Sequence, residues 1–167
     1  MELTEARERF IQMWGTLGSS WGINRTMAQI HALLLVAHES MSTDQIKNEL
    51  QISTGNANMN IRALIDWGLV HKELRTGQRK EFFVAEKDMG QIVKRIIAER
   101  KKRELDPVLK VLDEVSTVKN DGSPAAAEFH HMINDIRAFS MRTNSSLEKL
   151  IRSDTDWLMN TFMKLIR

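Results

Sequence analysis

The side chains best placed to do chemistry in this sequence are the amides and the guanidinium of one short segment, Ser53-Thr54-Gly55-Asn56-Ala57-Asn58-Met59-Asn60-Ile61-Arg62. Wound at 3.6 residues per turn, Ala57, Leu64 and Ile65 fall within about 60° of Ile61, an apolar side suited to a core. Asn56, Met59, Asn60 and Ala63 fall on the far side, with Gly55 and Arg62 on one flank. A merely solvated helix would carry Lys–Glu pairs there, and asparagine is a poor helix former that needs some other reason to be present. A side-chain amide can make a two-pronged pair with the N6/N7 edge of adenine, and a guanidinium with O6/N7 of guanine. Ser53 is a good N-cap, and the first turn behind it, from Thr54, can receive a backbone phosphate. An ordinary small polar surface fits the same residue types.

A second cluster lies about one helix further on. Arg75-Thr76-Gly77-Gln78-Arg79-Lys80 is a glycine-containing turn with three cations, which can lie along a phosphate backbone or a minor groove. It is flanked by Leu69–Leu74 and Glu81–Val84, where the apolar period falls from 3.6 to about 2, as in paired strands. Net charge is concentrated around it. Residues 62–110 hold 13 Lys and Arg against 8 Asp and Glu, whereas the whole chain is only +2. A phosphate-facing surface would give that asymmetry, though so would a solvated basic face.

The elements that must position these clusters can be read from periodicity. Phe10, Met13, Trp14, Leu17 and Trp21 mark a first helix, interrupted by Gly15, Gly18 and Gly22 through either a close helix approach or a bend. Residues 27–37, with Ile30, Leu33 and Leu34, read as a core helix in which His31 is a core or boundary residue. Ser42-Thr43-Asp44-Gln45 opens a short helix, Gln51-Ile52-Ser53 breaks it, and the Thr54–Trp67 helix stops at Gly68. After the hairpin, a helix from Met89 ends in Arg100-Lys101-Lys102-Arg103, and Asp106-Pro107 breaks or restarts it. Asn120-Asp121-Gly122-Ser123-Pro124 is the clearest linker. Two helices are predicted beyond it, one carrying Phe129 to Phe139 and the other Leu147 to Phe162. The predicted fold is mainly α with a small β-hairpin, in the order of a winged helix-turn-helix.

Several function classes lack their residues. With no cysteine there is no disulfide framework, thiolate zinc site or cysteine nucleophile. The nucleophile elbow, the phosphate-binding P-loop and the H-E-x-x-H pattern are all missing. His130 and His131 are adjacent and point about 100° apart on a helix, so neither a metal nor a cofactor is expected. No apolar run approaches the ~20 residues of a membrane helix, and the acidic start is unlike a signal peptide. The expectation is a cytoplasmic, non-enzymatic protein.

Residues 52–62 and Trp67-Gly68-Leu69-Val70 resemble the recognition-helix region of GbsR-type regulators, a branch of the MarR-like winged helix-turn-helix transcription factors. The similarity continues through Gly77 to Phe83 and Ala85 to Asp88, and Trp14-Gly15 with Gly18–Gly22 resembles that family's first helix. The resemblance implies a transcriptional regulator, expected to be a repressor, that contacts double-stranded DNA through Ser53, Thr54, Gly55, Asn56, Asn58, Met59, Asn60, Arg62, Arg75, Gln78, Arg79 and Lys80. It implies a homodimer on a pseudo-palindromic operator, with half-sites about 34 Å apart. Residues 1–105 would then form the DNA-binding domain with an N-terminal dimer helix, and residues 106–167 a C-terminal dimerisation and effector arm. Some relatives hold a small ligand in an aromatic pocket, for which Trp14, Trp21 and Trp157 are candidates; plain core or interface packing is the alternative for these rings. A winged-helix module that binds another protein through the same wing is the second reading of the whole chain.

Overall fold

A computed structural model of the chain describes residues 1–77, 79–119 and 121–153. Gln78 and Trp157 therefore lie outside the described residues. The elements run α1 (Leu3–Ser20), α2 (Arg25–Val36), β1 (Met41–Ser42), α3 (Thr43–Leu50), α4 (Thr54–Asp66), β2 (Val70–Glu73), β3 (Phe82–Ala85), α5 (Met89–Arg100), α6 (Asp106–Val115) and α7 (Pro124–Arg152), with a π-helical turn at Lys101–Leu105. The chain forms two compact units that part within α5, Met1–Ile92 and Val93–Arg167, where the sequence reading placed the division at 105/106.

In the first unit, short local signals start and stop the helices. Ser42 and Gln45 form a reciprocal capping box on α3. Ser53 Oγ accepts from the Asn56 amide at 3.2 Å to cap α4. Gly68, at φ 71°, closes α4 in a Schellman turn: its amide reaches Ile65 O at 2.8 Å and that of Leu69 reaches Leu64 O at 2.9 Å. Between α3 and α4, Gln51 takes the left-handed conformation, an uncommon state outside glycine that compresses the turn.

The core of this unit is built from Ile30, Leu33, Leu34, Ile46, Ile61, Leu64, Val70 and Ile92, all fully buried. The α1–α2 seam shows why α1 tolerates two buried glycines. A Cβ on Gly18 would sit 2.6 Å from Ala28 Cβ, and one on Gly15 would sit 2.7 Å from Gln29 Cγ. Close approach, rather than a bend, therefore accounts for both, because α1 runs unbroken from Leu3 to Ser20. His31 is buried beside Trp14, with ring centroids 6.1 Å apart, and burial lowers its pKa from 6.5 to about 4.

The sheet has three antiparallel strands in the order β1-β3-β2. β2 and β3 pair Val70 with Ala85 and Glu73 with Phe82, as the hairpin reading expects. β1 adds a third strand by pairing Met41 with Phe83 and Ser42 with Phe82. A two-residue strand has no period of its own, so the sequence alone does not announce it.

In the second unit the helical course continues through the π-helical turn into α6, with Pro107 in the first turn of α6. The extra residue of the π turn accommodates a proline that has no amide hydrogen to give. Ser123 caps α7, its Oγ accepting from the Ala126 amide at 3.1 Å. One helix then spans Pro124–Arg152, which corrects the expected break between Phe139 and Leu147. No Gly or Pro interrupts that stretch, and Ser140 is buried on the inner side of α7. Arg137 Nε meets Asp113 Oδ1 at 2.6 Å and so ties α7 to α6. Among the described residues no helix is long and apolar enough to cross a membrane, and no group of three or more His, Asp or Glu side chains could hold a metal.

Candidate nucleic-acid interface

Helix α4 stands on the unit with Ala57, Asn60, Ile61 and Leu64 buried, an i, i+3, i+4, i+7 stripe. The stripe is rotated from the one centred on Ile61, because Asn60 joins it and Ile65 lies only half-buried. Asn60 is therefore not on the outward side, which corrects its expected role at a base edge. It is 3% exposed, and its Nδ2 donates to Asn56 O at 2.9 Å and to Asn56 Oδ1 at 2.7 Å. Those bonds satisfy an amide that would otherwise be costly to bury. They also occupy the half-buried Asn56.

The exposed residues of α4 are Thr54, Gly55, Asn58, Met59, Arg62 and Asp66. Thr54 Oγ1 accepts from Lys47 Nζ at 3.3 Å, and Asn58 Oδ1 accepts from Thr43 Oγ1 at 3.3 Å. Both bonds brace α4 against α3 and leave the Asn58 amide nitrogen available. Arg62 is exposed and makes no ion pair with another described residue. Lys47 and Thr43, on α3, were not singled out from sequence; their signal was only their place in the helix before the turn.

The three cations of the wing, which is the β2–β3 loop, divide into three different roles. Arg75 Nη2 donates to Ser40 Oγ at 2.8 Å and to Ser40 O at 3.3 Å, and its guanidinium lies 4.3 Å from the centre of the Phe82 ring. Glu73 and Glu39 approach the same group at 3.5 and 3.7 Å. Arg75 is thus a clamp between the base of the wing and the segment before β1, which corrects its expected place among free phosphate-facing cations. Lys80 is exposed but paired with Asp44 Oδ2 at 3.0 Å. That lysine, by hydrogen bond and by charge, holds the Asp44 carboxyl below its usual range, with Lys47 adding to the effect. Arg79 is exposed and has no ion pair with another described residue.

The aromatic candidates do not form one cage among the described residues. Trp14 is half-buried and packs on Phe10 at 5.5 Å and on His31. Trp21 is 49% exposed at the C-cap of α1. A groove of about 650 Å³ in the same unit is lined instead by residues that include Arg7, Phe10, Val36, Met41 and Gln45.

No family model matches the chain. Over 112 residues it is 26% identical to the HTH-type transcriptional repressor GbsR of Bacillus subtilis (strain 168), a match covering 67% of this chain and 62% of that protein. The chain thus spans less than two thirds of the length of the curated relative. A crystal structure of a transcriptional regulator aligns with a TM-score of 0.66 at 18% identity, covering 87% of this chain and 95% of that one, a likeness of fold. In sequence the chain is similar to a GbsR-type repressor, and in fold it is a winged helix-turn-helix protein. In that fold α3 and α4 are the helix-turn-helix and the β2–β3 hairpin is the wing. Both likenesses are to proteins named as regulators, in agreement with the expectation of a non-enzymatic chain.

Proposed function

We propose that the chain is a cytoplasmic, sequence-specific DNA-binding repressor that places α4 in the major groove and the wing on the adjacent backbone or minor groove. The observation that carries this reading is the exposed side of α4. It presents Gly55, Asn58, Met59 and Arg62 together, has no acid before Asp66, and lies on a helix whose N-terminal turn is exposed. Arg79 supplies a further cation on the wing.

The repressor acts as a homodimer on a pseudo-palindromic operator. Support for this comes from the second unit, where Phe129, Met132, Ile136 and Phe139 recur at alternate spacings of three and four along α7 and are all at least 41% exposed. Such a seam is the pattern of a helix that packs on a partner helix. Val108, Val111 and Val118 add an exposed apolar row at α6 and just beyond it. A small effector, bound near the aromatic face of α1, would tune the affinity.

Fluorescence anisotropy of the full chain with a labelled duplex, read against salt, tests the function. Binding should weaken steeply, with log K falling by about 0.9 per log unit of salt for each phosphate neutralised. Absence of binding to any duplex at low salt would exclude the reading.

A further inference from the structure

Gly55 is the residue of α4 that the fold does not explain. It lies in the first turn of a 13-residue helix, outside the left-handed region, and a Cβ built on it meets nothing within 4 Å. Alanine would fit there and would favour the helix. The contrast with Gly18, which a neighbouring helix keeps bare, is plain. Among the described residues nothing fills the space that Gly55 leaves, which is open to a partner.

The neighbours of Gly55 on the same face specify what that is. At 100° per residue, Gly55, Met59 and Arg62 lie within about 30° of the direction opposite the buried stripe. Met59 is 59% exposed and is the one large apolar side chain exposed on α4. It is ringed by Gly55, Asn58, Arg62 and Ala63, so no apolar seam continues from it. A groove-facing apolar side chain at such a position can make contact with the C5 methyl group of thymine, while the amide and guanidinium beside it read polar edges.

We propose that Gly55 is kept bare so that α4 can approach the duplex closely, and that Met59 then reads a thymine methyl in the major groove. This rests on α4 being the DNA-facing helix. Apolar contact at Met59 and hydrogen bonds at Asn58 and Arg62 would together specify a thymine beside polar-read base pairs. No part of that code depends on the buried Asn60.

The test uses the full chain and duplexes enriched by it from a randomised pool. In an enriched duplex, thymines are replaced singly by deoxyuracil, which lacks the C5 methyl. At one thymine or more the replacement should weaken wild-type binding about four-fold, the equivalent of one buried methyl. The same replacement should not affect Met59→Ala, because the two changes remove one contact. Gly55→Ala should melt at a higher temperature than wild type and yet bind the enriched duplex about ten-fold more weakly. Equal deoxyuracil effects in wild type and Met59→Ala, or a Gly55→Ala chain that binds as tightly as wild type, would overturn the assignment while leaving DNA binding intact. A pool from which no duplex is enriched would overturn it together with the DNA reading itself.

Discussion

Helix α4 and the wing each offer a set of three chemically similar side chains, and each set separates in a different way. On α4 the asparagines are sorted by burial: Asn60 is inside, Asn56 is half-buried and bonded to it, and Asn58 is outside. On the wing the cations are sorted by partners: Arg75 is clamped, Lys80 is paired with Asp44, and Arg79 is exposed without an ion pair among the described residues. The difference follows from what each region is. A helix packed on a core fixes its side chains by rotation, whereas a two-strand loop has no core beneath its tip and must be tied from its flanks. Residue type therefore marks the candidate interface, but burial and partners decide which members of it are free to touch a ligand.

The largest expected effect lies in the core that α4 rests on. His31 is neutral when folded, and its pKa near 4 lies below the 6.5 of an exposed histidine. Above pH 6.5 neither state binds the proton and the group contributes no pH dependence. From there down to about 4 the unfolded chain alone takes it up, and stability falls by about 1.4 kcal/mol per pH unit, or ~3 kcal/mol in all. Urea midpoints measured across that range should decline for wild type and decline less for His31→Leu. Parallel curves would show that His31 is not the titrating group.

Arg75→Ala comes next. It removes a hydrogen bond from a charged donor to Ser40 and the stacking on Phe82, which together are worth about 2 kcal/mol. A lowered melting temperature should accompany it, whereas Arg79→Ala should melt like wild type; equal melting of the two would erase the distinction drawn within the wing. Asn60→Ala should cost about 1 kcal/mol through the lost bonds to Asn56, with Asn58→Ala close to neutral in stability and altered at a particular base instead. Loss of base preference in a well-folded Asn60→Ala chain would restore Asn60 to the interface. The smallest effect is at Arg79, where Ala should lower the salt slope by about 0.9 for all duplexes alike.

Much of the architecture was legible because its signals are local. Ser42 with Gln45, Ser53 and Gly68 act within three residues of themselves, and all three bound helices where the sequence placed them. The failures are non-local. A wheel centred on Ile61 turns Asn60 outward, but the buried stripe is rotated toward it and one neighbouring amide suffices to bury it. The partner of Arg75 is Ser40, far away in sequence and joined only by folding. β1 pairs with a strand on the other side of α3 and α4. The long α7 looked like two helices because Ser140 and Asn144 interrupt its apolar rows, although small polar residues on an inner face need not end a helix.

The absence of any cysteine allows the central claim, that α4 and the wing tip face the duplex, to be measured directly. Single substitutions Met59→Cys, Arg79→Cys and, on the exposed surface of α7, Glu128→Cys can each be alkylated in the full chain with and without a bound duplex. The account predicts that the duplex slows alkylation at positions 59 and 79 and leaves position 128 unchanged. Undiminished rates at 59 and 79 under saturating duplex would contradict it.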